Sequence, residues 1–109
     1  MDRSLAILGM AKKAGLLAVG AEAAVIAARQ SKAKLIITAC DASDSSVRRA
    51  KNSADENKVA HITVPYTMFE LGKTAGRGSP GTIAFLDKGL AESFTKRLAD
   101  TVNVKESDA

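Results

Sequence analysis

Between Gly9 and Gly20 the chain reads Gly-Met-Ala-Lys-Lys-Ala-Gly-Leu-Leu-Ala-Val-Gly, and this run constrains the fold more than any other. A basic helix approaching Lys12 and Lys13 meets Gly15, the residue type that most readily takes the left-handed conformation closing a helix. The two lysines occupy the last turn, where cations complement the helix dipole. Leu16 to Val19 leave room for one short extended stretch before Gly20. Gly20 has no side chain with which to cap the helix that follows, so the first amides of that helix stay open beside positive charge, a setting that suits phosphate. Glycine-to-helix junctions of this kind also occur with no ligand.

The remainder alternates helical and extended signals. Leu5, Leu8 and Ala11, with Ile7 alongside, predict a helix over residues 3–14, and residues 21–31 predict an alanine-rich one. Leu35-Ile36-Ile37-Thr38-Ala39 reads as a buried strand. Ser43 caps a third helix whose Val47, Ala50 and Ala54 face inward, while Arg48, Arg49, Lys51, Asp55 and Glu56 face outward, the basic cluster being read as a solvated face. His61-Ile62-Thr63-Val64 reads as a strand stopped by Pro65, and Thr67 with Glu70 forms a capping box for a short helix through Ala75. Gly76 and Gly78 end that helix. Thr82 to Leu86 predict the last strand, and Leu90, Phe94 and Leu98 mark a last helix begun near Asp87. Residues 1–100 form one domain, and 101–109 a frayed tail. Strands separated by helices imply an α/β chain with largely parallel pairing in a sheet covered on both faces, a three-layer α/β/α sandwich.

Composition narrows the function. At 109 residues and 46% hydrophobic content the chain is long enough to bury a core as one globular domain. Of the formal charge of +4, all can be assigned to residues 1–34, where six Lys or Arg face only Asp2 and Glu22. That asymmetry suggests a polyanion, most simply nucleic acid, although a merely soluble surface would look similar. Cys40 is the sole cysteine, which excludes an intramolecular disulfide and a cysteine-built zinc site and makes a reducing cytoplasm the expected setting. Asp2, Arg3 and the few apolar residues before Lys12 are too charged and too short for a signal or membrane segment. With no Trp, one Tyr and three Phe, the stacking platforms of sequence-tolerant single-strand binders are scarce.

Two constellations invite chemistry. Gly76-Arg77-Gly78-Ser79-Pro80-Gly81 matches G-x-G-x-x-G, but it follows a helix and opens a strand, the reverse of a dinucleotide fingerprint. A loop whose backbone approaches a partner closely, with Pro80 adding rigidity and Arg77 a charge, is the better use. Cys40 and His61 suggest a nucleophilic pair, yet in parallel neighbours the end of one strand and the start of the next lie at opposite sheet ends. Cys40 is therefore expected to be a buried structural cysteine and His61 a strand-edge histidine. No carboxylate cluster or metal-ligand spacing stands out, and no cofactor is expected.

Taken together, Ala11-Lys12-Lys13-Ala14-Gly15, Gly20, Ala33-Lys34-Leu35, Asp41-Ala42-Ser43 and Leu71-Gly72-Lys73 resemble the L-seven-Ae family of ribosomal, kink-turn RNA-binding proteins, the bacterial YlxQ-like branch above all. The resemblance spans about residues 3–98 in order, which is more specific than any short motif. It implies a small mixed sheet of about four strands inside the sandwich, with Leu17–Val19 as an extra strand. It also implies RNA binding in the cytoplasm: a kinked duplex opens its major groove to the helix N-terminus, and the loop before the last strand packs near an extruded base. In this chain the implied RNA contacts are the Gly20, Ala21, Glu22 and Ala23 amides, Lys12, Lys13 and Lys34 as phosphate partners, and the loop of Arg77, Gly78, Ser79 and Pro80.

The chain departs from the family pattern at the helix start. Glu22 stands where an asparagine would contact guanine, Ala23 where a carboxylate would accept from it, and Ile26 where a lysine would approach the paired bases. Leu16 replaces a common basic residue. Each lost base contact is worth about 1–3 kcal/mol by analogy with base readout in DNA. The expectation is a non-enzymatic, ribosome- or translation-associated monomer that recognises kink-turn-like or bulged RNA. The alternative is a protein-interaction module of the same fold, using the alanine-rich helix and an exposed Ile26. An enzyme built on Cys40 ranks last.

Overall fold

Local capping chemistry sets the element boundaries of this protein, whose computed structural model describes residues 3–76 and 78–108, with side chains through residue 100. Helix α1 runs over Arg3–Lys13, strand β1 over Leu17–Val19 and helix α2 over Ala21–Arg29. Gly15 closes α1 at φ 72°, its N–H donating to Lys12 O at 3.1 Å while Leu16 N–H reaches Ala11 O at 2.8 Å. This pair of bonds satisfies carbonyls that the helix end would leave open.

Strand β2 (Leu35–Thr38), helix α3 (Asp44–Glu56), strand β3 (Ala60–Thr63), helix α4 (Met68–Ala75), strand β4 (Thr82–Phe85) and helix α5 (Lys88–Asp108) follow. Ser43 Oγ accepts from Ser46 N–H at 3.2 Å to start α3. The reciprocal Thr67–Glu70 box starts α4, and Asp87 Oδ2 accepts from Leu90 N–H at 2.9 Å beneath α5. A further cap on α4 comes from far away in the chain: Asp41 Oδ1 accepts from Met68 N–H at 2.8 Å. Helix α5 continues past residue 100, where the sequence reading places the start of a tail.

The sheet order is β1-β4-β2-β3. Only β2 and β3 pair in parallel; β4 is antiparallel to both β1 and β2. The small mixed sheet of about four strands implied by the resemblance is present; the largely parallel pairing read from the alternation of strands and helices is corrected, since two of its three joints are antiparallel. The reason lies in α4. Its first residue is capped from the loop after β2, and Gly81, just before β4, meets the same loop through Ala39 N–H to Gly81 O at 2.9 Å. The chain leaves β3 and enters β4 at one end of the sheet, so β4 must run back against β2. The α2 and α3 connections, by contrast, cross from one end to the other and join parallel strands.

Alternation along the strands sorts the core into two layers, as the three-layer sandwich requires. Leu35, Ile37, Ile83 and Phe85 pack with Leu8, Leu71, Phe94 and Leu98 of α1, α4 and α5. Ile36 and Ala84 face the other way, onto Ala24, Ala27 and Ala28 of α2 and Ala50 and Ala54 of α3. Phe85 and Phe94 anchor the larger layer with ring centroids 5.0 Å apart. The smaller layer is nearly all alanine, which holds α2 and α3 close to the sheet. Among the described residues, no helix is long and apolar enough to cross a membrane.

Candidate nucleic-acid interface

One end of the sheet gathers most of the residues expected to bind RNA. Here β1 ends, β4 begins and β2 ends, so α2, α3 and the loop before β4 all depart from the same edge. Gly20 is the N-cap of α2 at φ 107° and ψ 153° and, being glycine, supplies no side-chain cap bond. A residue with a Cβ is strained in that conformation. Gly20 N–H donates to Thr82 O at 2.8 Å, tying the start of α2 to the end of the loop that holds Gly78, Ser79 and Pro80.

Ala21 and Ala23 are half-buried in the first turn and Glu22 is exposed. One turn further, Ile26 is 44% exposed on the same side of the helix. This surface offers amide donors and a carboxylate acceptor, flanked by an exposed apolar side chain.

The loop is set rather than loose. Gly76 closes α4 in the left-handed region at φ 75°, and Gly78 follows at φ 45°. A Cβ on Gly72 would fall 1.7 Å from Gly78 O and 3.3 Å from Pro80 Cδ, so only glycine at 72 lets the loop lie against α4. On its other side Gly81 abuts Ala42 and Met68. Gly78 and Ser79 are left exposed. Arg77, the expected charge of this loop, lies outside the described residues.

Lys12 meets the end of α4, its Nζ 3.4 Å from where a Cβ on Gly76 would stand, while the backbone that follows it reaches the Phe85 end of the sheet, Leu86 N–H donating to Leu16 O at 2.9 Å. Lys13 is exposed beside it and lines a groove between α1 and α4 with Leu5, Met10 and Lys73. Lys34 is not part of this group. It precedes β2, its N–H donating to Phe85 O at 2.7 Å, and Phe85 is the last residue of β4 whereas Thr82 is the first. Lys34 therefore sits across the length of the sheet from Gly20.

Beneath the rim lies a polar seam. Thr38 Oγ1 is 3.1 Å from His61 Nε2 and 3.2 Å from Thr63 Oγ1. Thr82 Oγ1 is buried without a hydrogen-bond partner among the described residues. Partial burial, and then the positive charge of Lys51, hold the His61 imidazole below its ordinary pKa against a smaller upward pull from Asp55. His61, expected at the start of its strand, is the second residue of β3, which forms one edge of the sheet, and its ring is engaged by Thr38. Cys40, expected to be buried, is exposed: the last inward position is Ala39, and the chain turns out toward solvent at the next residue.

Three residues that position this end escaped the sequence reading as structural determinants. Gly72 had a signal, since a lone glycine inside a helical pattern usually marks close packing. Asp41 and Thr82 had none, because their partners lie far along the chain.

Similarity to known proteins accords with this geometry. The model of the ribosomal protein L7Ae/L30e/S12e/Gadd45 family matches residues 3–94. Among solved structures, a protein of unknown function from Bacillus halodurans superposes with a TM-score of 0.83 at 21% identity, over 91% of this chain and 99% of that one. The Giardia lamblia 15.5kD RNA binding protein superposes with a TM-score of 0.69 at 16% identity, over 88% of this chain and 82% of that one. A comparison with curated proteins found no match. At these identities the two structures speak for the fold alone, and it is the match across residues 3–94 that shows the chain to belong to the ribosomal protein L7Ae/L30e/S12e/Gadd45 family.

Proposed function

We propose that this protein is a non-enzymatic, cytoplasmic RNA-binding protein of the YlxQ-like branch, associated with translation, that recognises kink-turn-like or bulged RNA through backbone geometry and charge. The observation that carries the reading is the bond from Gly20 N–H to Thr82 O, which sets the uncapped start of α2 beside the loop containing Gly78 and Ser79. An RNA phosphate can lie on the α2 amides while a splayed nucleotide meets the loop backbone, and Lys12, against Gly76 where that loop begins, adds positive charge beside it. The similarity to the Giardia 15.5kD RNA binding protein supports a nucleic-acid partner for the fold. With Ala23 and Ile26 in the first turns of α2, shape rather than base edges supplies the recognition.

The test is a salt-titrated binding assay against a kink-turn RNA and the same RNA with its sheared G·A pairs replaced. Selective, salt-dependent binding of the first is expected. Binding that is absent or insensitive to salt would rule the reading out.

The exposure of Ile26 favours a second reading, a protein-interaction module that has given up kink-turn readout. Ile26→Lys separates the two. Gain of kink-turn binding that the parent lacks supports the module; loss of affinity in a parent that binds RNA places Ile26 in an RNA contact.

A further inference from the structure

A second polar site lies on the α2–α3 side of the sheet, away from the loop that holds Gly78. Because α2 and α3 each leave the same sheet end and cross to start the next parallel strand, the two helices run side by side in the same direction. Their inner faces are alanine, and their outer faces frame a cleft of about 360 Å3 lined by Arg29, Arg48, Arg49, Asn52, Ser53 and Glu56, among others. Three arginines and one glutamate thus line the cleft. Ser53 is only 6% exposed, and its Oγ has no hydrogen-bond partner among the described residues. A buried helical hydroxyl ordinarily returns its hydrogen bond to the carbonyl four residues earlier, as Thr95 does to Ala91 O at 2.9 Å. The Ser53 hydroxyl does not, and is left to bond to whatever fills the cleft.

We propose that this cleft binds a phosphate group, with Arg29, Arg48 and Arg49 holding the anion and Ser53 and Asn52 donating to its oxygens. Arginine forks match phosphate oxygens in pairs, and an unpaired buried hydroxyl is costly to keep unless a ligand satisfies it. A carboxylate offers two oxygens to this donor set; a phosphate offers enough for all of it. The cleft is larger than one phosphate, so the group arrives attached to something, either the RNA backbone or a free phosphomonoester. The inference stands independently of whether the Gly20 end binds kink-turn RNA.

The test is a 15N NMR titration of the full chain with inorganic phosphate and with adenosine monophosphate at constant ionic strength. Saturable shifts at residues 25–29 and 45–56 are expected, with affinity falling about tenfold in Arg29→Ala and in Arg49→Ala. Ser53→Ala distinguishes a ligand contact from a structural one: phosphate affinity falls while the melting temperature holds or rises, because the hydroxyl contributes no bond to the fold. Absence of saturable shifts, shifts spread evenly over lysines elsewhere, or arginine variants that bind phosphate like the parent would overturn the proposal. The source is read from RNA binding. A salt slope that drops by about one per arginine removed identifies the RNA backbone, and an unchanged slope with intact phosphate binding identifies a free phosphomonoester.

Discussion

The carbonyl oxygen of Gly78 lies over the α carbon of Gly72, so close that a Cβ at 72 would stand 1.7 Å from it. This contact fixes the loop before β4 to the back of α4, and through Thr82 to the first turn of α2. Two surfaces that would otherwise move separately become one edge.

Gly72→Ala is expected to detach the loop. Alanine is the better helix former by about 1 kcal/mol, yet a backbone oxygen cannot yield as a flexible side chain can, and the steric term wins. The net loss of stability should be about 1–3 kcal/mol, measured by urea denaturation. RNA affinity at a temperature where the variant is fully folded should fall as well. A variant as stable as the parent and equal in RNA binding would show that the loop has another seat.

Lys12 and Lys34 offer a paired test of the interface, since the side chain of the first lies against Gly76, where the loop that holds Gly78 begins, and the second lies beyond the end of the sheet opposite Gly20. Lys12→Ala and Lys13→Ala are expected each to reduce the slope of log affinity against log salt by about 0.7–0.9, the release of roughly one counterion per phosphate contact. Lys34→Ala should leave it unchanged. Fluorescence anisotropy across a salt series reads all three, and an equal effect at Lys34 would relocate the RNA path to the far end of the sheet.

How far the sequence anticipated this arrangement follows from the range of each interaction. The stops at Gly15 and Gly76, the Ser43 cap and the Thr67–Glu70 box involve residues within five positions of each other, and their patterns are visible in the letters alone. The antiparallel return of β4 is not. It depends on α4 starting and ending at one side of the sheet, a fact set by Asp41 and Gly81 across long sequence separations. The placing of Lys34 apart from Gly20 is hidden for the same reason: charge is readable in a sequence, but the sheet end on which it falls is not. Arg48 and Arg49 read correctly as outward-facing, and nothing local announced that Arg29 of α2 would line the same cleft.

His61 makes stability depend on pH in a definite direction. Its folded-state pKa lies below the ordinary value of 6.5, chiefly through burial and then through Lys51, so the unfolded chain takes up a proton more readily than the folded one. The contribution is fully present above that ordinary value and is lost as pH falls through it toward the folded pKa. Urea midpoints measured from pH 7.5 down to pH 5 should therefore decline more steeply in the parent than in His61→Gln. Parallel declines in the two proteins would assign the effect to other groups.

Lys58 ends α3 with φ 57°, its N–H donating to Asp55 O at 3.4 Å and Val59 N–H reaching Ala54 O at 2.8 Å. These are the two bonds of a helix stop normally built around glycine, here carried by a side chain whose Cβ crowds its own backbone. Lys58→Gly removes that strain, against a smaller loss from the greater freedom of glycine in the unfolded chain. A net gain of about 0.5–1 kcal/mol is expected, seen as a higher melting temperature. Because Lys58 lies at the sheet end opposite Gly20, RNA affinity should stay at the parental value. A lower melting temperature would mean that the lysine side chain holds the end of α3 by a contact stronger than the strain it carries.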